Sequence, residues 1–228
     1  MTLVFLPGMM CDARLFQPQL DAFPDSIVVT STDFATITEM AQDVLAASPD
    51  RFDLLGLSMG GIIAMEVVRL APERVSKIAL LDTNHLAEKE AMRQARFPQI
   101  EAAQNGQMMD IMRNVMVPRY LASGGSNTDR VIDLCLKMAS DLGAAAFVNQ
   151  SHALMDRPDQ SETLRNLTCP ALVLCGIEDR LCPVLTHEEM AELIPQATLE
   201  NVAGAGHLPT LEQPSHTNAA IARWLEIS

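Results

Sequence analysis

The sequence is poor in aromatic side chains and in positive charge. Aromatic residues make up 4% of its 228 residues, and 16 Lys and Arg stand against 29 Asp and Glu, for a formal net charge of −13 at pH 7. A surface of this sign repels nucleic acids and anionic membranes, and no basic run offsets the repulsion locally. We therefore expect neither class of partner. The net charge does not exclude a small-molecule ligand, because it describes the surface of the protein and not the inside of a pocket.

Cysteine and long apolar runs are also scarce. The cysteines form an odd set without a CxxC pair or the spacing of zinc ligands. No apolar run approaches the roughly 20 residues of a membrane span, and the first ten residues, MTLVFLPGMM, lack the basic start of a secretory leader. These absences predict a cytoplasmic protein with free thiols, no bound metal and no membrane association. The five cysteines are Cys11, Cys135, Cys169, Cys175 and Cys182.

Short, uninterrupted apolar runs recur along the chain and predict about six strands. They do not alternate with polar residues, which is typical of strands covered on both faces in a parallel sheet. Helical patterns lie between them: one starts at the capping-box pair Thr36 and Glu39, and another runs from Gly60 until Pro72 ends it. This order predicts the α/β fold class, with a mostly parallel sheet and helices on both faces. The expected strands are residues 3–6, 27–30, 52–57, 77–82, 171–176 and 198–202, and two further helices are expected at 184–194 and 215–225.

Residues 84–165 interrupt the alternation, because helical stretches follow one another there without a convincing strand. We expect an all-helical insertion at 84–165 in a core formed by residues 1–83 and 166–228. Within it, Met109, Met112 and Met116 share one helical face, where packing is favoured over a pliable pocket ceiling.

The stretch GLSMG, residues 56–60, lies between an expected strand and an expected helix. A nucleophile elbow needs this setting and needs small residues on both sides of the serine, because the turn is very sharp. Ser58 would then project above the carboxyl edge of the sheet, where ligands bind in open α/β folds. The alternative is a serine in an ordinary tight turn.

A serine nucleophile needs a base, and five histidines compete for that role. His207 is favoured because it lies in the Gly-rich loop VAGAGHLPTLEQP, after the last strand. His85 and His152 fall at the two ends of the helical insertion and are candidates for the substrate pocket. His187 and His216 have polar neighbours, and we expect both on the surface.

The base needs an acid that holds its tautomer. Asp179, in LVLCGIEDRLCPV, follows a strand that ends at Gly176, so its carboxylate is expected at the same edge. Asp82 also closes a strand and is the second choice. Asp179 is favoured because the chain order serine, aspartate, histidine is the one expected for this type of fold.

The stretches GLSMGG, GIEDRLCPV and GAGHLPTLEQP are similar in order and spacing to the nucleophile, acid and histidine regions of the α/β-hydrolase superfamily. On these motifs the chain resembles that superfamily over nearly its whole length. The resemblance implies catalytic roles for Ser58, Asp179 and His207, an α/β-hydrolase fold with a helical cap, and a reaction without a cofactor or a metal.

The resemblance also implies an oxyanion hole made of two backbone N–H groups. One is that of Met59, directly after the serine, and the other comes from the loop LPGMMCD, where Met9 is preferred and Met10, a further candidate for the pocket, is the alternative. This loop has Pro7 and Gly8 where many relatives have His-Gly. We expect the family's first antiparallel hairpin to be missing. A tight turn without a catalytic role is the competing interpretation of the loop.

These observations favour a serine hydrolase that cleaves a small ester or thioester through an acyl-enzyme intermediate. A serine nucleophile argues against the related dehalogenases and epoxide hydrolases, which use an aspartate. Two alternatives stay open: a carbon-carbon bond hydrolase, lyase or acyltransferase with the same residues, and a ligand receptor with little turnover. Anionic substrates of the first alternative would use arginines of the insertion, and the sequence carries no signal of oligomeric state. The available arginines are Arg93, Arg96, Arg113, Arg119, Arg130 and Arg157.

Overall fold

The centre of the molecule is a six-stranded sheet in the order β2-β1-β3-β4-β5-β6. The computed structural model describes residues 1–125 and 127–227. All five neighbouring strand pairs are parallel, which confirms the parallel sheet of about six strands predicted from the apolar runs. The strands are β1 Leu3–Leu6, β2 Ile27–Val28, β3 Phe52–Leu57, β4 Val75–Leu81, β5 Ala171–Gly176 and β6 Ala197–Val202.

The inner strands are covered on both faces. Every residue of β1, β3 and β5 is buried, and successive residues of a strand point to opposite faces. The edge strands β2 and β6 are only partly buried. Continuous apolar runs therefore mark the middle of the sheet, and the edges give a weaker signal in the sequence.

Helices connect the strands along the chain. Thr36 begins one of them as predicted: its side chain accepts a hydrogen bond from the Glu39 N–H at 3.2 Å and donates one to the Glu39 carboxylate at 2.7 Å. The sequence does not predict the two shortest helices outside the interval between β4 and β5, Gln17–Ala22 and Pro209–Glu212, because they have too few residues for a clear periodicity. Outside the interval between β4 and β5 the helices are α1 Gln17–Ala22, α2 Ile37–Ala47, α3 Met59–Leu70, α8 Val184–Leu193, α9 Pro209–Glu212 and α10 Pro214–Leu225.

Between β4 and β5 the described residues form helices and turns and contain no strand. The longest helical run breaks at Gly143, whose φ of 80° and ψ of 176° are not helical. The assignment of 84–165 to a separate cap stays a prediction. The α-helices of the interval are α4 Glu90–Ala102, α5 Met108–Ile111, α6 Thr128–Met155 and α7 Ser161–Arg165.

The interval between β4 and β5 lies over the carboxyl edge of the sheet. Its backbone carbonyl at Tyr120 accepts a hydrogen bond from the His207 N–H at 2.6 Å, and its Gln150 side chain binds the Met10 N–H at 2.9 Å. Both core residues lie in loops that follow strands, β6 and β1. In the described part of the chain no helix is both long and apolar enough to span a membrane.

Candidate active site

Ser58 lies in a sharp turn between β3 and α3. Its φ of 56° and ψ of −117° are strained for a residue with a side chain. The turn brings backbones so close that a Cβ on Gly56 would lie 2.2 Å from the Gly60 carbonyl oxygen, and one on Gly60 would lie 2.0 Å from the Leu6 carbonyl oxygen. The two glycines of GLSMG are therefore required by contact between backbones. The turn leaves the Ser58 side chain partly exposed at the carboxyl edge of the sheet.

Three side chains from separate loops form a hydrogen-bonded series at this edge. The Ser58 Oγ lies 2.8 Å from the His207 Nε2, and the His207 Nδ1 lies 2.8 Å from the Asp179 Oδ2. His207 and Asp179 are buried. The structure thus brings together the three residues that the sequence motifs pointed to.

Asp179 is held in its ionised form. Its Oδ1 accepts hydrogen bonds from the N–H groups of Leu181 at 2.7 Å and Cys182 at 3.1 Å. Burial opposes the charge, but attraction to His207 and the hydrogen bonds outweigh burial and lower the pKa of Asp179. A carboxylate in this position fixes the imidazole with its proton on Nδ1, which leaves Nε2 free to accept the serine proton.

Asp82, the second-choice acid, forms no hydrogen bond to the histidine among the described residues. It is fully buried with a φ of 44°, and its Oδ1 accepts a hydrogen bond from the Gly176 N–H at 2.9 Å. Burial raises the pKa of Asp82 well above its usual range, and the charge of Asp179, whose carboxyl oxygen lies within 4.8 Å, raises it further. Two buried carboxyls this close do not both ionise. Asp179 therefore carries the charge and Asp82 is the neutral acid.

Two backbone N–H groups beside Ser58 are available to an oxyanion. Met59 is the first residue of α3, where N–H groups have no partner within the helix. In the loop after β1, the Met10 N–H donates to the Gln150 Oε1 at 2.9 Å, whereas the Met9 N–H has no acceptor among the described residues. This difference favours Met9 over Met10 as the second donor.

The histidine loop is tied to the helical interval above it. Glu212 Oε1 accepts hydrogen bonds from the N–H groups of Gly206 at 2.9 Å and Leu208 at 3.1 Å, and its Oε2 accepts one from Ala122 at 2.7 Å. These contacts, together with the hydrogen bond from the His207 N–H to the Tyr120 carbonyl, hold the backbone on both sides of His207 and so position its imidazole at the site. No sequence pattern indicates this role of Glu212, because its partners are backbone groups that only folding brings close.

The expectation that His187 lies on the surface is wrong, whereas His216 is exposed as expected. His187 is completely buried; its Nε2 accepts a hydrogen bond from the Thr83 N–H at 3.0 Å, and its Nδ1 donates to the Pro183 carbonyl at 3.2 Å. Burial lowers the pKa of His187 to about 4. The acidic residues that follow it on α8 point elsewhere, since neighbours on a helix face different directions.

A cavity of about 450 Å³ opens at Ser58 and His207. Met116 lines it and also packs against the core, as Met109 and Met112 do, so the methionine stripe serves packing at all three positions. The lining also includes Met9, Met59 and Tyr120.

Three residues expected in the pocket do not line this cavity: Met10, His85 and His152. Met10 is buried within the loop after β1, and its N–H donates to Gln150. His85 is also buried, and burial lowers its pKa. His152 lies on α6 away from the lining. The pocket is lined instead by methionines, a tyrosine and basic residues.

The lining carries an excess of positive charge on a protein whose net charge is strongly negative. Of the six arginines considered from the sequence, three line the cavity: Arg96, Arg119 and Arg157. Two further basic residues also line the cavity, Lys89 and Arg180, the latter directly after the candidate acid. The sequence did not indicate either of them as a lining residue. Among the described residues, Glu88 is the single acidic side chain of the lining.

Two groups of described side chains at the site have the spacing of a metal site. Ligand atoms of Asp179, Cys182 and His207 lie within 4.8 Å of one another, and so do those of Asp82, Cys175 and Asp179. However, Asp179 and His207 already bind each other, and burial raises the pKa of the Cys182 thiol well above its usual range. A neutral thiol is a poor metal ligand, so these residues fit a hydrogen-bonded catalytic series better than an ion.

The fold agrees with a comparison against known families. The family model described as the alpha/beta hydrolase family matches residues 3–221. The chain belongs to this family.

Similar members of the alpha/beta hydrolase family include esterases. The chain is 30% identical to the pimeloyl-[acyl-carrier protein] methyl ester esterase of Photobacterium profundum, over 78% of this chain and 72% of that protein. It is 26% identical to the biotin biosynthesis bifunctional protein BioHC of Teredinibacter turnerae, over 98% of this chain but only 44% of that protein's length.

Solved structures give the same result for the fold. A malate-bound thermophilic esterase from Thermogutta terrifontis superposes with a TM-score of 0.89 at 26% identity, covering 99% of this chain and 89% of that chain. The enol-lactonase of Burkholderia xenovorans superposes with a TM-score of 0.86 at 18% identity, covering 99% of this chain and 91% of that one. The chain is an enzyme, an alpha/beta hydrolase of the carboxylic-ester hydrolase type.

Proposed function

We propose that this alpha/beta hydrolase is a serine esterase that cleaves a small carboxylic ester or thioester through an acyl-enzyme intermediate. The observation that carries the proposal is the unbroken series Ser58, His207, Asp179, with both hydrogen bonds at 2.8 Å and its serine in the wall of the cavity. A nucleophile bonded to a base that is bonded to an orienting acid is the arrangement that activates a hydroxyl at neutral pH.

In the first half of the reaction, His207 Nε2 takes the Ser58 proton as Oγ attacks the ester carbonyl carbon. The carbonyl oxygen becomes an oxyanion and accepts hydrogen bonds from the N–H groups of Met9 and Met59. Each such donor contributes about 10² to 10³ in rate. The intermediate collapses when the imidazolium gives its proton to the departing alcohol or thiol, and the acyl group stays on Ser58.

In the second half, water takes the place of the alcohol. His207 accepts a proton from the water as its oxygen attacks the acyl carbon, and the same N–H groups bind the second oxyanion. The bond to Ser58 Oγ then breaks, Oγ recovers the proton from His207, and the carboxylic acid leaves. Asp179 stays ionised throughout and stabilises the imidazolium of each half.

The relatives narrow the class of ester. One is named for a methyl ester whose acyl group is attached to a carrier protein, and the structure with the highest TM-score quoted above is an esterase with malate bound. We infer that a methyl or other short-chain alcohol ester fits the reaction best, since a small leaving group suits a 450 Å³ cavity that also holds the acyl chain.

The experiment is steady-state hydrolysis of p-nitrophenyl acetate and butyrate by the wild type and Ser58→Ala. We expect the variant to lose at least about 10³-fold in kcat/KM, because the oxyanion donors and binding alone remain. Ser161→Ala, at the start of α7 and outside the cavity lining, is the matched control and should keep the wild-type rate. A Ser58→Ala variant as active as this control would refute the mechanism.

A further inference from the structure

Two arginines and one glutamate form a largely buried cluster in the wall of the cavity. The Arg96 Nε lies 2.6 Å from one Glu88 carboxylate oxygen, and an Arg157 Nη lies 3.3 Å from the other. The side chains are hardly exposed: 13% for Arg96, 9% for Arg157 and 4% for Glu88. Arg96 belongs to α4, and Arg157 follows the end of α6.

The cluster carries one positive charge more than it can neutralise. No other carboxylate among the described residues lies within 4.0 Å of either guanidinium. The remaining contacts are neutral: the Arg157 Nε donates to the Leu86 carbonyl at 2.9 Å, and an Arg96 Nη lies 4.0 Å from the Met9 sulfur. A buried charge without a partner is strongly unfavourable, and each arginine has five N–H donors to satisfy. An anion bound in the cavity would supply both the charge and the acceptors.

The position of the cluster ties that anion to the reacting centre. Arg96, Arg157 and Glu88 line the same cavity as Ser58, and an Arg96 Nη lies 4.0 Å from the sulfur of Met9, the candidate second residue of the oxyanion hole. The other basic residues of the lining, Lys89, Arg119 and Arg180, are exposed. Water and salt screen exposed charges far more than buried ones, so the buried pair has the stronger preference for an anion.

We propose that Arg96 and Arg157 form a subsite for a carboxylate group of the substrate, so that the enzyme prefers esters carrying a negative charge away from the ester bond. The proposal rests on the proposed esterase function and adds the substrate class: half-esters of dicarboxylic acids. Planar guanidinium groups bind carboxylates through paired hydrogen bonds, which gives orientation as well as affinity. The bound carboxylate would fix the direction in which the ester enters the site.

The kinetic test compares an anionic and a neutral form of one ester. The substrates are the monomethyl esters of succinate, glutarate and adipate, each beside its counterpart in which the free carboxylate is a carboxamide of the same shape. The variants are Arg157→Gln and Arg96→Gln, each of which leaves Glu88 with one arginine and no excess charge. Arg113→Gln, an exposed arginine of the same interval outside the lining, removes the same charge elsewhere.

We expect the wild type and Arg113→Gln to favour the anionic ester of at least one chain length. In Arg157→Gln and in Arg96→Gln, the ratio of kcat/KM for the anionic ester to that for its amide should fall by about 10- to 100-fold, the range of a hydrogen bond to a charged group. If the arginines had a purely structural role, their substitution would lower kcat/KM for the anionic ester and for its amide by the same factor, and the ratio of the two would not change. An unchanged ratio in both variants, or a wild type without preference, would overturn the subsite.

Direct binding separates failure of the subsite from failure of the proposed function. Succinate, glutarate and adipate are titrated calorimetrically into Ser58→Ala and into the double variants that add Arg157→Gln or Arg113→Gln. Binding to Ser58→Ala that is lost only with Arg157→Gln supports the subsite even if the wild type turns over no ester, a result that would reject the esterase proposal alone. Binding that is equal in both double variants would reject the subsite, whatever the turnover.

Discussion

The buried His187 gives the folded state a specific sensitivity to acid. Its two ring nitrogens are matched to neutral imidazole, because Nε2 must accept the Thr83 N–H and Nδ1 must donate to the Pro183 carbonyl. Protonation would place a second N–H against that of Thr83. The same threonine donates its hydroxyl to the Ser58 carbonyl oxygen at 2.6 Å, so the contact also supports the turn that holds the candidate nucleophile.

The magnitude follows from the difference between two pKa values. His187 has a pKa of about 4 in the folded protein and about 6.5 in the unfolded chain. Between these values the unfolded state binds more protons than the folded state, so the free energy of unfolding falls as the pH drops through this window. A difference of about 2.5 units corresponds to about 3 kcal/mol of stability that is present at pH 7 and lost by pH 4.

The assay is urea denaturation of the wild type, His187→Gln and His152→Gln at intervals from pH 7 to pH 4. Carboxyl groups that titrate in the same window affect all three proteins alike. We expect His187→Gln to be less stable than the wild type at pH 7 and the gap to narrow by up to about 3 kcal/mol by pH 4. His152→Gln, which changes a half-buried histidine on α6 outside the cavity lining, should keep the wild-type pH dependence. A gap for His187→Gln that stays constant across this range would show that His187 does not titrate with the lowered pKa.

The remaining predictions concern the candidate site and the turn beneath it. Asp179→Asn should lower kcat by about 10⁴-fold, because an amide no longer holds the reactive tautomer of His207. Asp82→Asn should change kcat only slightly, since Asp82 is already neutral. Equal losses of kcat in steady-state assays of the two variants would count against our assignment of the charge. Gln150→Ala removes the hydrogen bond to the Met10 N–H, which holds the loop that carries Met9. We expect kcat to fall about 10- to 100-fold with little change in KM. A rise in KM with an unchanged kcat would show that Gln150 does not position the oxyanion hole. Gly60→Ala places a Cβ 2.0 Å from the Leu6 carbonyl oxygen of β1 and should lower the free energy of unfolding by about 3 kcal/mol or more. Thermal and urea denaturation measure this change. An unfolding midpoint equal to that of the wild type would show that the turn can relax.

The parallel sheet could be predicted because its strands are covered on both sides. The runs that became β3 and β5 are apolar at nearly every position, and all of their residues are buried. Local chemistry also sufficed at the ends of elements, as at Thr36, where a side chain satisfies the first N–H groups of its own helix. These signals are contained within a few neighbouring residues.

The composition of the pocket could not be predicted, because it depends on groups distant in sequence. Glu88 meets Arg157 only when the end of α6 returns to the loop after β4, and Arg180 reaches the cavity from the core. The mistake over His187 has the same origin: polar neighbours along α8 suggested exposure, but the helix turns this one side chain toward the Thr83 N–H. Periodicity indicates which residues share one face of a helix, but it does not indicate which distant groups that face contacts.

The proposed mechanism requires that Ser58 becomes acylated. Rapid-quench mass spectrometry of the enzyme mixed with p-nitrophenyl butyrate, followed by peptide mapping, detects such an intermediate. We expect a transient mass increase of one butyryl group, located on the peptide with Ser58 and absent in Ser58→Ala. Steady hydrolysis by the wild type with no acyl group on Ser58, or with the acyl group on another residue, would contradict the mechanism.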